Sequence, residues 1–344
     1  MIRRSCSSRR GRAAGMLAVL LLICACAVTS PSSVERPGWV GGSEPAGYPR
    51  ARYLTGVGSA HSLEQARDRA RAELARAFEV RVEARARHED QLSMADGETR
   101  HQGQLFQSVT TTTAATLRGV EIAETWCDPE AGHCHALATL DRQRAATALR
   151  ETIAGLDAAT GVYLRAAEEA EDKLRGVAAL ARAIAEQRQR AEYQQVLRVL
   201  TGRGVATRHD LALLEARLED RMDALRFAVT ATGDHPAYIA ERLKGGLGRA
   251  GFTVAEGRAD YQLEVELRLK ALGERDGWYW QRGRLALRLR EPGGGSRGEH
   301  RWPVRSAATD RASAERRALD EVAEHLGEGL QAAVLALARG RDGP

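Results

Sequence analysis

Two hydrophobic periodicities divide the chain. Tyr261, Leu263, Val265, Leu267 and Leu269 alternate with Gln262, Glu264, Glu266, Arg268 and Lys270, and Leu285, Leu287 and Leu289 alternate with Arg284, Ala286, Arg288 and Arg290. A period of two places apolar side chains on one face of a strand, so both stretches predict half-buried antiparallel strands. The glutamates of one and the arginines of the other share the outer face, where opposite charges can pair across strands for about 0.2–1 kcal/mol each. By contrast, Leu63, Ala66, Ala70, Leu74, Ala77, Phe78 and Val82 recur at helical spacing and predict a helix over 62–87. Ser62 makes its N-cap, and Gln65 three residues later completes a capping box.

Weaker patterns fill the rest. Residues 53–60 read as a strand ending in a glycine turn at Gly56-Val57-Gly58, and 118–126 and 134–140 as two strands joined by a turn over 128–132. The polar stretch 99–116 contains Val109, Thr110, Thr111, Thr112 and Thr113, whose β-branching favours an extended strand. From 141 to 200 the pattern is helical, with Leu149, Ile153, Leu156, Leu174, Val177, Ile184, Leu197 and Leu200 at apolar positions. Gly202 and Gly204 interrupt it, and Leu211, Leu214, Leu218, Met222 and Leu225 mark a further amphipathic helix. The two alternating strands are preceded by a strand over 226–230, a helix over 236–250 and a strand over 252–255. They are followed by an edge strand that tolerates Pro303 and by a closing helix carrying Leu319, Val322, Leu326, Leu330, Ala333 and Leu337. The fold class is therefore α+β, with two small αβ domains, 51–140 and 226–340, each a helix packed on an antiparallel sheet. A long helical region, 141–225, separates them.

The amino terminus has a different character. Arg3, Arg4, Arg9, Arg10 and Arg12 precede a short apolar run over 17–25, and a stretch rich in Ser, Pro and Gly follows. A basic segment, an apolar segment and a small residue before the cut describe an export signal over 1–25. The run is too short to span a bilayer, which needs about 20 apolar residues. Ile23-Cys24-Ala25-Cys26 resembles a bacterial lipobox, with Cys26 the residue that would carry acyl chains. Cys24 is a weaker candidate because Ile23 is bulky and β-branched before it; the alternative is an ordinary secreted protein that loses both cysteines. Residues 26–50, with Pro31, Pro37, Pro45 and Pro49, read as a tether in which Trp39 could dock locally. Ala27 after Cys26 favours the outer membrane by the enteric sorting rule.

Charge changes with that cut. The formal +5 rests on the five arginines before Cys26, where no acid lies; the remaining basic residues balance the 46 acids. A nucleic-acid-binding reading thus loses its support.

Candidate chemistry is sparse. Gly56-Val57-Gly58 lacks both the third glycine of a dinucleotide fingerprint and a following Lys-Ser/Thr, so it reads as a tight turn. Cys127, His133, Cys134 and His135 could be a zinc cluster, but His133 and Cys134 are adjacent and would point to opposite faces of a strand. A Cys127–Cys134 disulfide across the hairpin is favoured in an exported chain. Trp278-Tyr279-Trp280 is the densest aromatic cluster: either a platform for a glycan or peptide, or, since Trp278 and Trp280 share a face, packing for a helix. No nucleophile–base order, carboxylate pair or cofactor motif emerges. The histidines 61, 88, 101, 209, 235, 300 and 325 lie among polar neighbours and read as surface residues. No enzyme and no cofactor is expected.

Tyr48-Pro49, residues 53–60, Ser62-Leu63-Glu64-Gln65-Ala66 and Ala72-Glu73-Leu74-Ala75 resemble the first block of the Lpp-twenty family of bacterial surface lipoproteins. His135-Ala136-Leu137-Ala138-Thr139-Leu140-Asp141-Arg142, shortly after Trp126, resembles its second. The resemblance covers about residues 48–150 and departs at Cys134, where the family tends to carry an aromatic. It implies a periplasm-facing lipoprotein, usually at the outer membrane and without known catalysis, some relatives being flagellar-associated and others surface antigens. The carboxy-terminal domain more loosely resembles small αβ domains of envelope-assembly lipoproteins, including activators of cell-wall synthases. Together these lead us to expect a membrane attachment through the amino-terminal lipid, a protein partner in the envelope, and a structural or regulatory task.

Overall fold

Strand β1 (Tyr53–Ala60) pairs antiparallel with β3 (Cys134–Asp141), and β3 with β2 (Glu121–Cys127), giving the order β1-β3-β2. A computed structural model describes residues 35–95, 117–291 and 293–339. The export signal, Cys26 and the threonine-rich strand expected over 99–116 lie outside the described residues.

Helix α1 (Leu63–Ala95) lays Ala66, Ala70, Leu74, Phe78 and Val82 on this sheet, the stripe expected from its spacing. Ser62 Oγ accepts from the Gln65 N–H at 3.2 Å, as an N-cap should. Gly56 and Gly58 correct the expected glycine turn: both lie inside β1, with ordinary strand pairing to Ala138 and Ala136. A Cβ at Gly58 would meet Ala70 N at 2.2 Å and Ala66 O at 2.4 Å, and one at Gly56 would meet Leu74 N at 2.6 Å. The glycines are needed so that strand and helix backbones can touch, a use that no local pattern reveals and that leaves no loop to cradle a phosphate.

The tether ends earlier than expected. Trp39, on a 3₁₀ turn (Gly38–Gly41), is buried against Trp126 and Leu137, and its Nε1 donates to Glu124 at 2.5 Å. The packed body thus begins before residue 51, because a buried indole with a partner for its N–H overrides a loop-like composition.

Three helices follow: α2 (Arg142–Glu169), α3 (Lys173–Thr201) and α4 (Leu211–Asp223). Each starts on an aspartate N-cap, Asp141, Asp172 and Asp210, whose carboxylate accepts from first-turn N–H groups. Gly202, in the left-handed region at φ 73°, ends α3. Helices α2 and α3 are joined at their centre by a buried network that the sequence reading missed. Arg190 Nε donates to Asp157 at 2.8 Å, and Gln187 donates to Asp157 at 3.1 Å and to Thr160 at 2.8 Å. The Arg190 and Asp157 side chains are only 5% and 8% exposed. Arg190 Nη2 also donates to Ala206 O at 2.9 Å, fixing the segment after α3.

Helix α3 contributes to every major core. Its first turns supply Leu174, Val177 and Ala178 to the carboxy-terminal core, its middle supplies Leu180 and Ile184 to the contact with α2 and α4, and its end supplies Val196, Leu197 and Leu200 to the amino-terminal core. Its 29 residues correspond to a rod of about 43 Å.

The carboxy-terminal unit runs β4 (Arg226–Gly233), α5 (Pro236–Arg249), β5 (Thr253–Val254), β6 (Tyr261–Arg275), β7 (Trp278–Arg290), β8 (Ser296–Ala308), α6 (Arg311–Glu328) and α7 (Leu330–Ala338). The sheet order is β5-β4-β6-β7-β8. It is mixed rather than purely antiparallel, since β4 is parallel to both β5 and β6. Helix α5 returns the chain to the start of β4, and β5 is so short that β6 sets out from that same end. The expected alternation holds: Leu263, Val265, Leu267, Leu285, Leu287 and Leu289 face the helices and are fully buried. Pro303 lies on the edge strand β8, as a residue without an N–H requires.

Candidate functional site

The α3 start is locked to the carboxy-terminal sheet by a polar joint. Asp172 accepts from Arg175 N at 2.7 Å, from Tyr261 OH at 2.8 Å and from both terminal nitrogens of Arg297. Burial opposes the Asp172 carboxylate, but Arg297, the Arg175 N–H and Tyr261 outweigh it and hold its pKa below the usual value. Burial, with Asp172 beside it, pushes the Tyr261 phenol up to about 12. Lys173 pairs with Asp260 at 2.7 Å. These groups satisfy one another, so the joint is structural.

At the amino-terminal sheet, Cys127 and Cys134 stand directly opposite each other in the β2–β3 register and are joined by a disulfide. Both sulfurs are thereby committed, and the zinc alternative loses its two thiolates. His133 packs against His61 with ring centres 4.2 Å apart and the rings tilted by 48°, and His135 packs beside Trp126 at 5.6 Å. Burial, and then the nearby Arg36 charge, pull the His135 pKa below its ordinary value. Replacing both cysteines by serine should cost about 2–3 kcal/mol by restoring loop entropy to the unfolded chain. Urea melts of the oxidised protein and of the double variant give that difference directly.

Nearby, Tyr48, Tyr53, Tyr193, Arg118, Arg144 and Glu121 help to line a cleft of about 730 Å³ between β3 and α2. Tyr48 meets Tyr53 edge to face at 5.2 Å, and Arg52 lies over the Tyr53 ring. Arg52 also pairs with Asp141 at 3.1 Å. The Arg144 N–H and then Arg52 hold the Asp141 pKa below the ordinary carboxylate value. Arg142 donates to Leu200 O at 3.0 Å. The Asp141-Arg142 pair at the end of the second family-like block thus caps α2 and ties it to α3. Arg144 comes from the first turn of α2 and Tyr193 from α3, and of these six residues only Tyr48 and Tyr53 had been singled out by the sequence.

The Trp278-Tyr279-Trp280 cluster lies at the tip of the long β6–β7 hairpin. Asp276 and Gly277, with φ of 53° and 76°, make its two-residue turn. The expectation that Trp278 and Trp280 pack on a helix is overturned, since they are 43% and 45% exposed. The hairpin carries them beyond the helices, and a bulge at Leu272 shifts the register there. Tyr279 stands opposite Glu274, whose carboxylate accepts its hydroxyl and raises its pKa.

Farther from the tip, the outer face of the sheet carries the expected charge ladder. Glu264 pairs with Arg290 at 2.7 Å, Glu266 with Arg288 at 3.2 Å, and Glu299 with both Arg288 and Arg301 at 2.9 and 2.5 Å. Arg301 and then Arg288 hold the Glu299 pKa at about 2, well below its ordinary 4.5. With the folded value depressed, the stabilisation is complete above about pH 4.5 and is lost as pH falls towards about 2. The stability difference between the wild type and Glu299→Gln, followed by thermal melting, should therefore shrink over that acid window. A constant difference would count against the ladder.

The histidine reading needs one amendment. His300 and His325 flank Trp302, at 4.4 and 5.8 Å between ring centres, rather than lying apart on the surface.

The fold defines a two-part αβ protein braced by helices, and no described helix is long and apolar enough to cross a membrane. Residues 37–141, the whole amino-terminal unit, match the family model described as LPP20 lipoprotein. No curated protein matches the chain. Among solved structures, a minor lipoprotein from Acinetobacter baumannii is similar at 11% identity and TM-score 0.28, over 31% of this chain and 91% of that one. A secreted protein from Helicobacter pylori is similar at 17% identity and TM-score 0.37, over 83% and 97%. A putative lipoprotein from Caulobacter crescentus is similar at 20% identity and TM-score 0.24, over 36% and 94%. At such scores the likenesses support no transfer of function.

Proposed function

We propose that the chain is a non-catalytic lipoprotein of the outer membrane, anchored through acylated Cys26 and facing the periplasm, where it has a structural or scaffolding role in the envelope. The observation that carries this reading is the lipoprotein family match over 37–141, directly downstream of Ile23-Cys24-Ala25-Cys26. One acyl chain binds a bilayer only marginally, so a stable anchor needs the several chains a bacterial lipoprotein carries. The described part supports a scaffold because its polar clusters close on themselves as structural joints, whereas its open features are faces suited to macromolecules. A service to the flagellum fits the family resemblance. A regulatory module that activates a cell-wall synthase or secretion machine is the second reading, favoured by the exposed aromatic hairpin, whose Trp and Arg content matches interface hot spots.

Fractionation of cells expressing Cys26→Ser tests the anchor. The variant should leave the membrane pellet for the soluble or uncleaved pool, and its persistence as a processed protein in the outer-membrane fraction would reject acylation there. Crosslinking from intact envelopes distinguishes scaffold from regulator: a structural partner fits the first reading and a synthase or secretion component the second.

A further inference from the structure

Helices α5, α6 and α7 pack on one face of the five-stranded sheet; among the described residues no helix covers the other. Its outer positions change character along the strands. The ladder of Glu264, Glu266 and Glu299 with Arg288, Arg290 and Arg301 is internally neutralised. Beyond it come only cations. Lys270, Arg282 and Arg305 stand side by side across β6, β7 and β8, with Arg284 one outward step away along β7. Cross-strand like charges are unfavourable, yet among the described residues no carboxylate pairs with any of these four exposed side chains. The same outward row of β7 continues into Trp280 and Trp278, the latter opposite Arg275, while Glu274 lies with Tyr279 on the reverse face. Exposed Leu272 sits at the bulge beside them.

We infer that this face is a docking surface for an anionic phospholipid bilayer, with Trp278, Trp280 and Leu272 at the headgroup level and Lys270, Arg282, Arg284 and Arg305 against the phosphates. Three observations select this occupant. The outward side chains of this row are exposed and no described element covers them, which suits an extended surface rather than a small ligand. The row of Lys270, Arg282, Arg284 and Arg305 is of one sign and has no carboxylate partner among the described residues, and juxtamembrane Lys and Arg each gain from an anionic leaflet. The face's only exposed large apolar groups are tryptophans and a leucine at a hairpin tip, and tryptophan favours the membrane–water interface. The inference rests on the proposed lipid anchor only for what brings a bilayer near; the contact itself needs no acyl chain. It would give the protein a second foothold, at the far end of β6 from the α3 joint.

The test uses chain starting at residue 27, without acylation, which retains every described element. It is co-sedimented with vesicles of phosphatidylcholine alone or of equimolar phosphatidylcholine and phosphatidylglycerol, at low and physiological salt. Binding to the anionic vesicles only, weakened by salt, is expected. Loss of each cation should weaken it about fivefold, so Arg282→Gln/Arg284→Gln/Arg305→Gln should bind about a hundredfold less tightly. Trp278→Ala/Trp280→Ala should also lose binding with unchanged circular dichroism, because both residues are solvent-exposed. Failure of the wild type to bind, equal binding to neutral vesicles, or unaltered binding by both variants would overturn the inference. So would binding to soluble polyglutamate without binding to vesicles, which would assign the face to an acidic protein. None of these outcomes bears on acylation of Cys26, which the fractionation experiment decides separately.

Discussion

Asp157→Ala is expected to destabilise the protein by about 3–5 kcal/mol, the usual cost of stranding one partner of a buried ion pair. Arg190 would keep its charge in a site where its side chain is only 5% exposed, and Gln187 would lose one of its two acceptors. The loss should spread to the connection after α3, because Arg190 also holds Val205 O and Ala206 O. Replacing both members, Asp157→Leu with Arg190→Met, should recover much of the stability, since an apolar pair of similar bulk avoids the desolvation of two charges. Equilibrium urea unfolding of the three proteins decides the matter. An alanine variant within about 1 kcal/mol of wild type, the range of exposed pairs, would show that the pair is not buried in solution.

The second large effect concerns packing rather than charge. Gly58→Val should cost about 3 kcal/mol or more, at the upper end of overpacking penalties. The obstructing atoms are Ala70 N, Ala66 O and Arg69 C, all helix backbone, so no side-chain rotation relieves them. Either α1 lifts from β1, exposing Leu74 and Phe78, or β1 leaves the sheet. Gly132→Val is a suitable comparison for crowding alone, since nothing lies within 4 Å of that position, although its φ of 65° adds a backbone penalty of its own. A native-like melting midpoint for Gly58→Val would contradict the close backbone approach.

These two sites also show where sequence reading stops. The strands through Tyr261–Leu269 and Leu285–Leu289 were legible because one-sided burial writes a period of two into neighbouring residues. The stripe of α1 and its Ser62 cap were equally local. Gly56 and Gly58 were misread as a turn because their constraint comes from helix backbone eight or more residues away. The Asp157–Arg190 pair spans 33 positions and left no pattern. Trp278 and Trp280 carried the right alternation, yet whether a helix covers them depends on how far the hairpin overhangs its neighbours. The parallel pairing of β4 likewise followed from the shortness of β5, which composition does not announce. Of the candidate site features, the Cys127–Cys134 disulfide was legible from residue type and context. The cationic row became visible only when register brought Lys270, Arg282 and Arg305 abreast.

Helix α3 has a further consequence, for how this architecture can change. The two sheets are not beads on a string, because the segment between them is the interior of one helix whose ends are built into both cores. Inserting one residue midway along it would turn one sheet by about 100° relative to the other and move it by about 1.5 Å. Lengthening by whole turns would preserve the relative orientation far better than adding single residues. The helix is therefore a protractor as well as a ruler, and the angle it sets determines which way the open cationic face looks when the amino terminus is held.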